Sequence, residues 1–186
     1  QVRRFFAAQE REEEFVPLSA DPGCSYDGRI DIDLSALKPL IACPHQPDNV
    51  TTVEQVEKKP VRQVFIGSCT NASYADIAKA ALVLQGRHVH QEVSCTCGVA
   101  TRQIYKQLLH DGYLDMLLDA GVRLLEISCG PCCGIGQVPP TGGVSLRTSN
   151  RNFKGRGGSA DALLYLASPE TAAASAVTGT FTTAQE

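Results

Sequence analysis

The chain of 186 residues contains no apolar run approaching the length of a membrane-spanning helix, and no charged-then-apolar leader opens it. It has no surplus of positive charge either: 17 Lys and Arg face 20 Asp and Glu, for a net charge of −3. A global basic field that would recruit nucleic acid or an anionic membrane is thereby excluded. No internal repeat or low-complexity tract organises the chain. What remains is the composition of a soluble globular protein, 43% hydrophobic and 20% charged, sufficient to bury a core. The length suits one domain, or one domain with a piece of another. Position 1 is not Met, and "QVRRFFAAQEREEEF" opens charged and helix-like, so a piece from the middle of a longer protein is expected.

Cysteine is what the chain has in quantity, with eight. Secreted disulfide scaffolds are usually shorter and denser in cysteine. The clustering here instead suggests a reducing compartment, the cytoplasm or, in a eukaryote, the mitochondrial matrix. There the thiols would be free, metal-bound or catalytic.

Periodicity predicts a charged helix over Val2–Glu14 and a half-exposed strand over Ile30–Leu34. The stretch Pro39–Pro60 holds Pro39, Pro44, Pro47 and Pro60 and reads as a loop or crossover. Beyond it, strands "QVFIGS", "HQEVSCT", "VRLLEIS", "GVSLRTS" and "ALLYLAS" are interleaved with helices. One is "ADIAKAALVLQG", ending at Gly86. A second runs from Thr101 to Ala120 with a break near Asp111–Gly112. A third, "SPETAAASAVTG", is capped by Ser168 with Pro169 in its first turn. Alternation of this kind argues for an α/β domain with a mostly parallel sheet, over residues 61–186. Residues 1–60 read as the tail of a preceding domain and a linker. Ligands of such sheets gather beyond the carboxyl ends of the strands. Cys69 follows "VFIGS" and Cys129 follows "LLEIS", so two strands deliver cysteine to one edge.

In "CGPC", Cys129 to Cys132, Gly130 and Pro131 force a tight turn that lets both sulfurs face one centre. A CxxC pair serves zinc, iron–sulfur clusters and redox dithiols alike. In "GSCTN", Cys69 lies between strand and helix, and Thr70 and Asn71 are candidate N-caps whose free N–H groups would favour an anion. Cys133 points away if Cys132 points in, and reads as packing. Cys95 and Cys97 share a strand face and read as core, with a fourth metal ligand as their other use. Cys24 and Cys43 lie in loops without partner spacing. "SNRNFKGR" carries Arg151 and Arg156. Two arginines in a loop are ordinarily solvated, but this loop follows a strand of the sheet that carries the cysteines, and the arginine fork suits carboxylates.

"GSCTN", "CGPC" with its "CGIGQ" continuation, "SNRNFKGR" and "SPETAAASAVTG", in this order, resemble the aconitase superfamily of iron–sulfur hydro-lyases. The combination is specific, whereas no single piece is. "PHQPDNV", Pro44 to Val50, resembles the stretch that leads into that family's cluster domain. The resemblance implies a three-layer α/β/α fold and a [4Fe–4S] cluster ligated by Cys69, Cys129 and Cys132. It implies substrate contacts from Arg151 and Arg156, and Asn150 hydrogen-bonded in the cluster region. The implied reaction dehydrates and rehydrates a hydroxy di- or tricarboxylate. "CGPC" and "GIGQ" point first to citrate and isocitrate, with 3-isopropylmalate or homoaconitate as alternatives. RNA binding by a cluster-free form is a reading of another class, and the net charge opposes it.

Two departures from the family pattern stand out. Val99-Ala100-Thr101 replaces a common Pro-Gly-Ser turn, and, the larger departure, the family's N-terminal and C-terminal domains are missing from this sequence; Cys133 sits where the family usually has an aliphatic residue. The family's acid–base groups lie in other domains. The expected partners are therefore a small carboxylate and the remaining domains of a parent enzyme, and this chain alone should not be a complete catalyst.

Overall fold

A computed structural model of the chain describes residues 2–184. It comprises two compact units, Gln1–Leu37 and Lys38–Glu186. In the first, the expected helix over Val2–Glu14 divides. Helix α1 spans Val2–Ala8, Glu10 takes a positive φ of 57°, and Glu12–Glu14 form a single 3-10 turn. None of these elements buries a residue. A helix this short with no apolar face against a core is marginal. Ile30–Leu34 is not a strand. The segment has no ladder partner, and Asp33 instead accepts from the Ser35 amide to open a 3-10 turn over Leu34–Ala36.

The second unit carries a seven-stranded sheet in the order β2-β1-β7-β6-β3-β4-β5. Strands β1 (Leu40–Ala42) and β2 (Val50–Thr52) form an antiparallel hairpin inside the stretch expected to be loop. Its prolines lie outside both strands, so no ladder donor is lost. β1 pairs with β7 (Leu163–Ala167), which brings the hairpin into the sheet. Strands β3 (Val61–Ile66), β4 (Ser94–Cys97), β5 (Arg123–Leu124), β6 (Val144–Arg147) and β7 are all parallel. The fold is the expected α/β arrangement with a mostly parallel sheet, although β4 and β5 are shorter than their apolar runs.

The helices follow their caps. α2 (Tyr74–Leu84) starts at a capping box between Ser73 and Asp76. α3 (Arg102–His110) is capped by Thr101, and the expected break falls at Gly112, which is left-handed and opens α4 (Tyr113–Asp119). α5 (Pro169–Thr178) is capped by Ser168 and ends at left-handed Gly179. The helices pack on one sheet face, where Val64, Ile66, Cys95, Cys97 and Leu146 join Ile77, Leu84, Leu114 and Ala173 in one apolar cluster. Strand side chains alternate, so Gln63, Ser145 and Arg147 face the other way. That second face carries these polar groups beside the buried Phe65 and Leu164, and the segment after β5 covers it. No helix among the described residues is long and apolar enough to cross a membrane.

Candidate functional site

β6 enters the sheet on the far side of β3 from β4 and β5. The reversal makes β3 and β6 the switch point of the sheet, and the carboxyl ends beside it are the usual ligand position in an open parallel sheet. The loops after β3, β4, β5 and β6 meet there. Gly67 has a φ of +128°, and a Cβ on it would fall 2.0 Å from the Gly98 carbonyl oxygen, so only glycine lets the first two loops touch. Ser68 follows with φ 74°, a strained non-glycine residue beside a cysteine. Thr148, after β6, is fully buried. Its hydroxyl accepts from the Gly67 amide at 2.7 Å and donates to the Gly67 carbonyl at 2.9 Å. Asn71 Nδ2 donates to the Thr148 carbonyl at 2.6 Å. Thr70 and Asn71 therefore do not cap α2; Ser73 does, because its oxygen reaches the Asp76 amide. Asn71 clamps two loops instead.

Cys69 and Cys129, both exposed, line one cavity of about 360 Å³ with Ser68, Val99 and Ser128. Cys129 opens the 3-10 turn Gly130–Cys133, which Gly134 closes in the left-handed region. The turn buries Cys132 and leaves Cys133 exposed. Burial pushes the Cys132 thiol up; the Arg156 and Arg147 guanidiniums pull it down, while Cys129 and Cys69 push it further up. Cys69 and Cys129, delivered by the loops after two separate strands, thus share one cavity, and Cys132 is buried in the turn beside it.

A single zinc needs all its thiolates about 2.3 Å from one point. Among the described residues no three His, Cys, Asp or Glu side chains are placed to hold such an ion. Two thiols lining a cavity without carboxylates, with the buried Cys132 behind them, suit a larger group with separate attachment points better than a single ion. All eight cysteines are free. Cys95 and Cys97 are core, as expected: burial raises both thiols, Cys97 to about 12.

The loop after β6 turns back on itself, with Gly155 at φ +82° and the Arg156 amide bonded to the Phe153 carbonyl. Half-buried Arg156 stacks over Phe153 at 5.8 Å and donates from Nη1 to Cys133 Sγ at 2.7 Å. Its Nε is buried without a partner among the described residues. Cys133 is therefore more than packing, since it receives the guanidinium that faces the cysteine turn. Gly134 and Gly157 make this closeness possible, because a Cβ on Gly134 would lie 2.2 Å from the Gly157 carbonyl oxygen. Arg151 and Asn150 are exposed in the same loop and hydrogen-bond none of the thiols among the described residues. The buried asparagine is Asn152, which donates to the Cys43, Gln46 and Leu164 carbonyls and ties the "PHQPDNV" hairpin to this loop.

Sequence reasoning missed Thr148, Asn152 and Arg147. Arg147 is wholly enclosed, and burial pulls its guanidinium down to about 10, still charged at neutral pH. The available signal was Ser145 and Arg147 two apart in an otherwise apolar strand.

The domain is thus a parallel sheet with a cavity lined by two thiols at the carboxyl ends of its strands and a guanidinium held against the neighbouring cysteine turn. Residues 54–179 match the family described as the aconitase family (aconitate hydratase). The chain is 43% identical over 179 residues to "3-isopropylmalate dehydratase large subunit 2" of Archaeoglobus fulgidus, covering 96% of this chain and 43% of that protein. It is 43% identical over 184 residues to "3-isopropylmalate dehydratase large subunit 1" of Thermotoga maritima, covering 97% and 44%. It is 45% identical over 167 residues to a "3-isopropylmalate dehydratase large subunit" of Nitratidesulfovibrio vulgaris, covering 89% and 40%. The chain belongs to the aconitase family. It spans less than half the length of these curated relatives.

Proposed function

We propose that this chain is the cluster-holding part of an aconitase-type hydro-lyase, with Cys69, Cys129 and Cys132 holding an iron–sulfur cluster. The observation that carries this reading is one cavity lined by Cys69 and Cys129, with the buried Cys132 near enough for both to act on its thiol, in a chain of this family. When bound, such a cluster supplies a Lewis-acidic iron for a substrate hydroxyl. The chain's own residues do the rest of the local work. Arg156, held against Cys133 and Phe153, presents its fork to a substrate carboxylate. Arg151 supplies a second cation from the same loop. Thr148 and Asn71 keep the loops that carry Cys69 and the arginines in register.

The expectation of citrate and isocitrate gives way to a substrate of the isopropylmalate type. Three relatives at 43–45% identity carry that name, and the residues between the cysteines proved a weaker guide. Their printed names as large subunits support a partner subunit in the complete enzyme. Eight free cysteines support a reducing compartment. A net charge of −3 counts against RNA as the ligand.

Two measurements test this. After anaerobic reconstitution with iron and sulfide, Cys69→Ala, Cys129→Ala and Cys132→Ala should each lose the visible chromophore, and Cys133→Ala should keep it. Equal retention in all four would sink the ligand assignment. The full-length protein, co-expressed with its partner subunit, should turn over isopropylmalate in preference to citrate, and the reverse preference would overturn the substrate reading.

A further inference from the structure

Arg147 ends β6 with 0% of its surface exposed. Among the described residues it belongs to no ion pair. An enclosed cation is costly unless its donors are satisfied and a compensating charge is near. The donors are satisfied in full, by neutral oxygens. Nε donates to Ser145 Oγ at 2.9 Å, and Nη2 donates to Gln63 Oε1 at 2.8 Å and the Gln137 carbonyl at 3.5 Å. Nη1 donates to the carbonyls of Pro131 at 3.1 Å and Cys132 at 3.3 Å.

The fork thus spans two structures. Gln63 and Ser145 belong to β3 and β6, and are themselves joined by a 2.6 Å hydrogen bond. Pro131 and Cys132 belong to the backbone of the cysteine turn. Gly157 leaves room for the guanidinium, since a Cβ there would lie 2.9 Å from Nη2. No other side chain links the sheet's polar face to the carbonyls of that turn among the described hydrogen bonds.

We propose that Arg147 is the positioning residue of the Cys132 thiol: it pins the cysteine turn to the sheet and stands as the buried positive charge behind that turn. Its relevance to a cluster rests on the function proposed above, while the pinning stands on the protein alone. A lysine could keep the charge, but three donors on a single nitrogen cannot bridge acceptors this widely spread. A neutral amide could bond the carbonyls and leave the thiolates without their nearby cation. The arginine does both.

The test compares wild type, Arg147→Lys and Ser145→Ala in the full-length protein, first without metal and then after anaerobic reconstitution with iron and sulfide. The amides of Gly134 and Ile135 close the turn onto the Pro131 and Gly130 carbonyls. In the metal-free protein their hydrogen exchange should quicken about tenfold in Arg147→Lys, while the Cys97 amide in β4 keeps its wild-type rate. After reconstitution, chelator-driven iron loss should be roughly 10–100-fold faster than in wild type, the range seen when an outer support of a metal site is removed. Ser145→Ala keeps the charge and the Nη1 bonds to the turn, and loses the Nε acceptor and the bond to Gln63, so it should fall between the two. It also decides the matter by the same readings if Arg147→Lys does not fold.

Wild-type exchange at Gly134 and Ile135 would overturn the proposal, whether or not the protein takes up iron. So would equal acceleration at the turn and at Cys97, which would make Arg147 merely structural. If the wild type assembles no chromophore, the cluster function fails by itself, and the exchange data still decide on Arg147.

Discussion

A side chain at Gly67 would have to overlap the Gly98 carbonyl oxygen, at 2.0 Å, and adopt a φ of +128°. Gly136 also has a positive φ, +73°, but open space around its Cβ position. Gly136→Ala should therefore cost about 1–2 kcal/mol, the left-handed penalty alone. Gly67→Ala should cost more, since about 1–3 kcal/mol of backbone strain is joined by the overlap. Urea unfolding checks both, and equal losses would mean that the two loops can part without cost. The buried thiols make a second residue-scale prediction. Folding keeps Cys95 and Cys97 protonated where the unfolded chain would release both protons, and Cys97 is pushed from 9.0 up to about 12. Their contribution is complete below pH 9 and is lost as pH climbs toward 12. Stability should fall there by at most about 1.4 kcal/mol per pH unit for each thiol. Replacing both by Ala should flatten that slope in urea midpoints measured from pH 8 to 11.

At the scale of elements, caps decide where the helices begin. Ser73 and Asp76 satisfy each other's backbone amides at the start of α2, at 3.3 and 3.1 Å. Ser73→Ala should cost about 0.5–2 kcal/mol, seen as a lower urea midpoint at unchanged slope. The same change at Ser168 removes the bond to the Thr171 amide, at 3.2 Å, and should cost a similar amount. Most of the fold at this scale was legible in advance. The Ser168–Pro169 start, the Asp111–Gly112 break and the apolar strand runs are local signals, set by groups a few residues apart. The β1–β2 hairpin was not legible. Its strands are three residues each, too short to show a period, and their partner β7 lies far along the chain. Ile30–Leu34 had the alternation of a strand but no neighbour to pair with.

At the scale of the molecule, the chain spans less than half of its curated relatives. The isolated chain, even with iron and sulfide restored, should show no turnover of isopropylmalate, citrate or isocitrate in a coupled absorbance assay. Loss of proton-transfer groups alone typically removes 10²–10⁴-fold of rate, and among the described residues the cavity is lined by no histidine or carboxylate. Turnover by the isolated chain would show that its own side chains move the proton.

Cysteines at the ends of two parallel strands, the glycines of their turns and the arginine loop after β6 were determined by the sequence alone. Each is a pattern of neighbours, and backbone geometry converts spacing along a strand into position at its end. Only the tertiary structure decided which side chains answer one another there. Cys133 read as filler because its partner Arg156 lies 23 residues away. Arg147 was missed because its acceptors come from Gln63, Pro131 and Cys132. A guanidinium can be buried only where oxygens from distant segments converge on its fork, and that convergence exists only once the sheet, the turn and the glycine contacts have formed together.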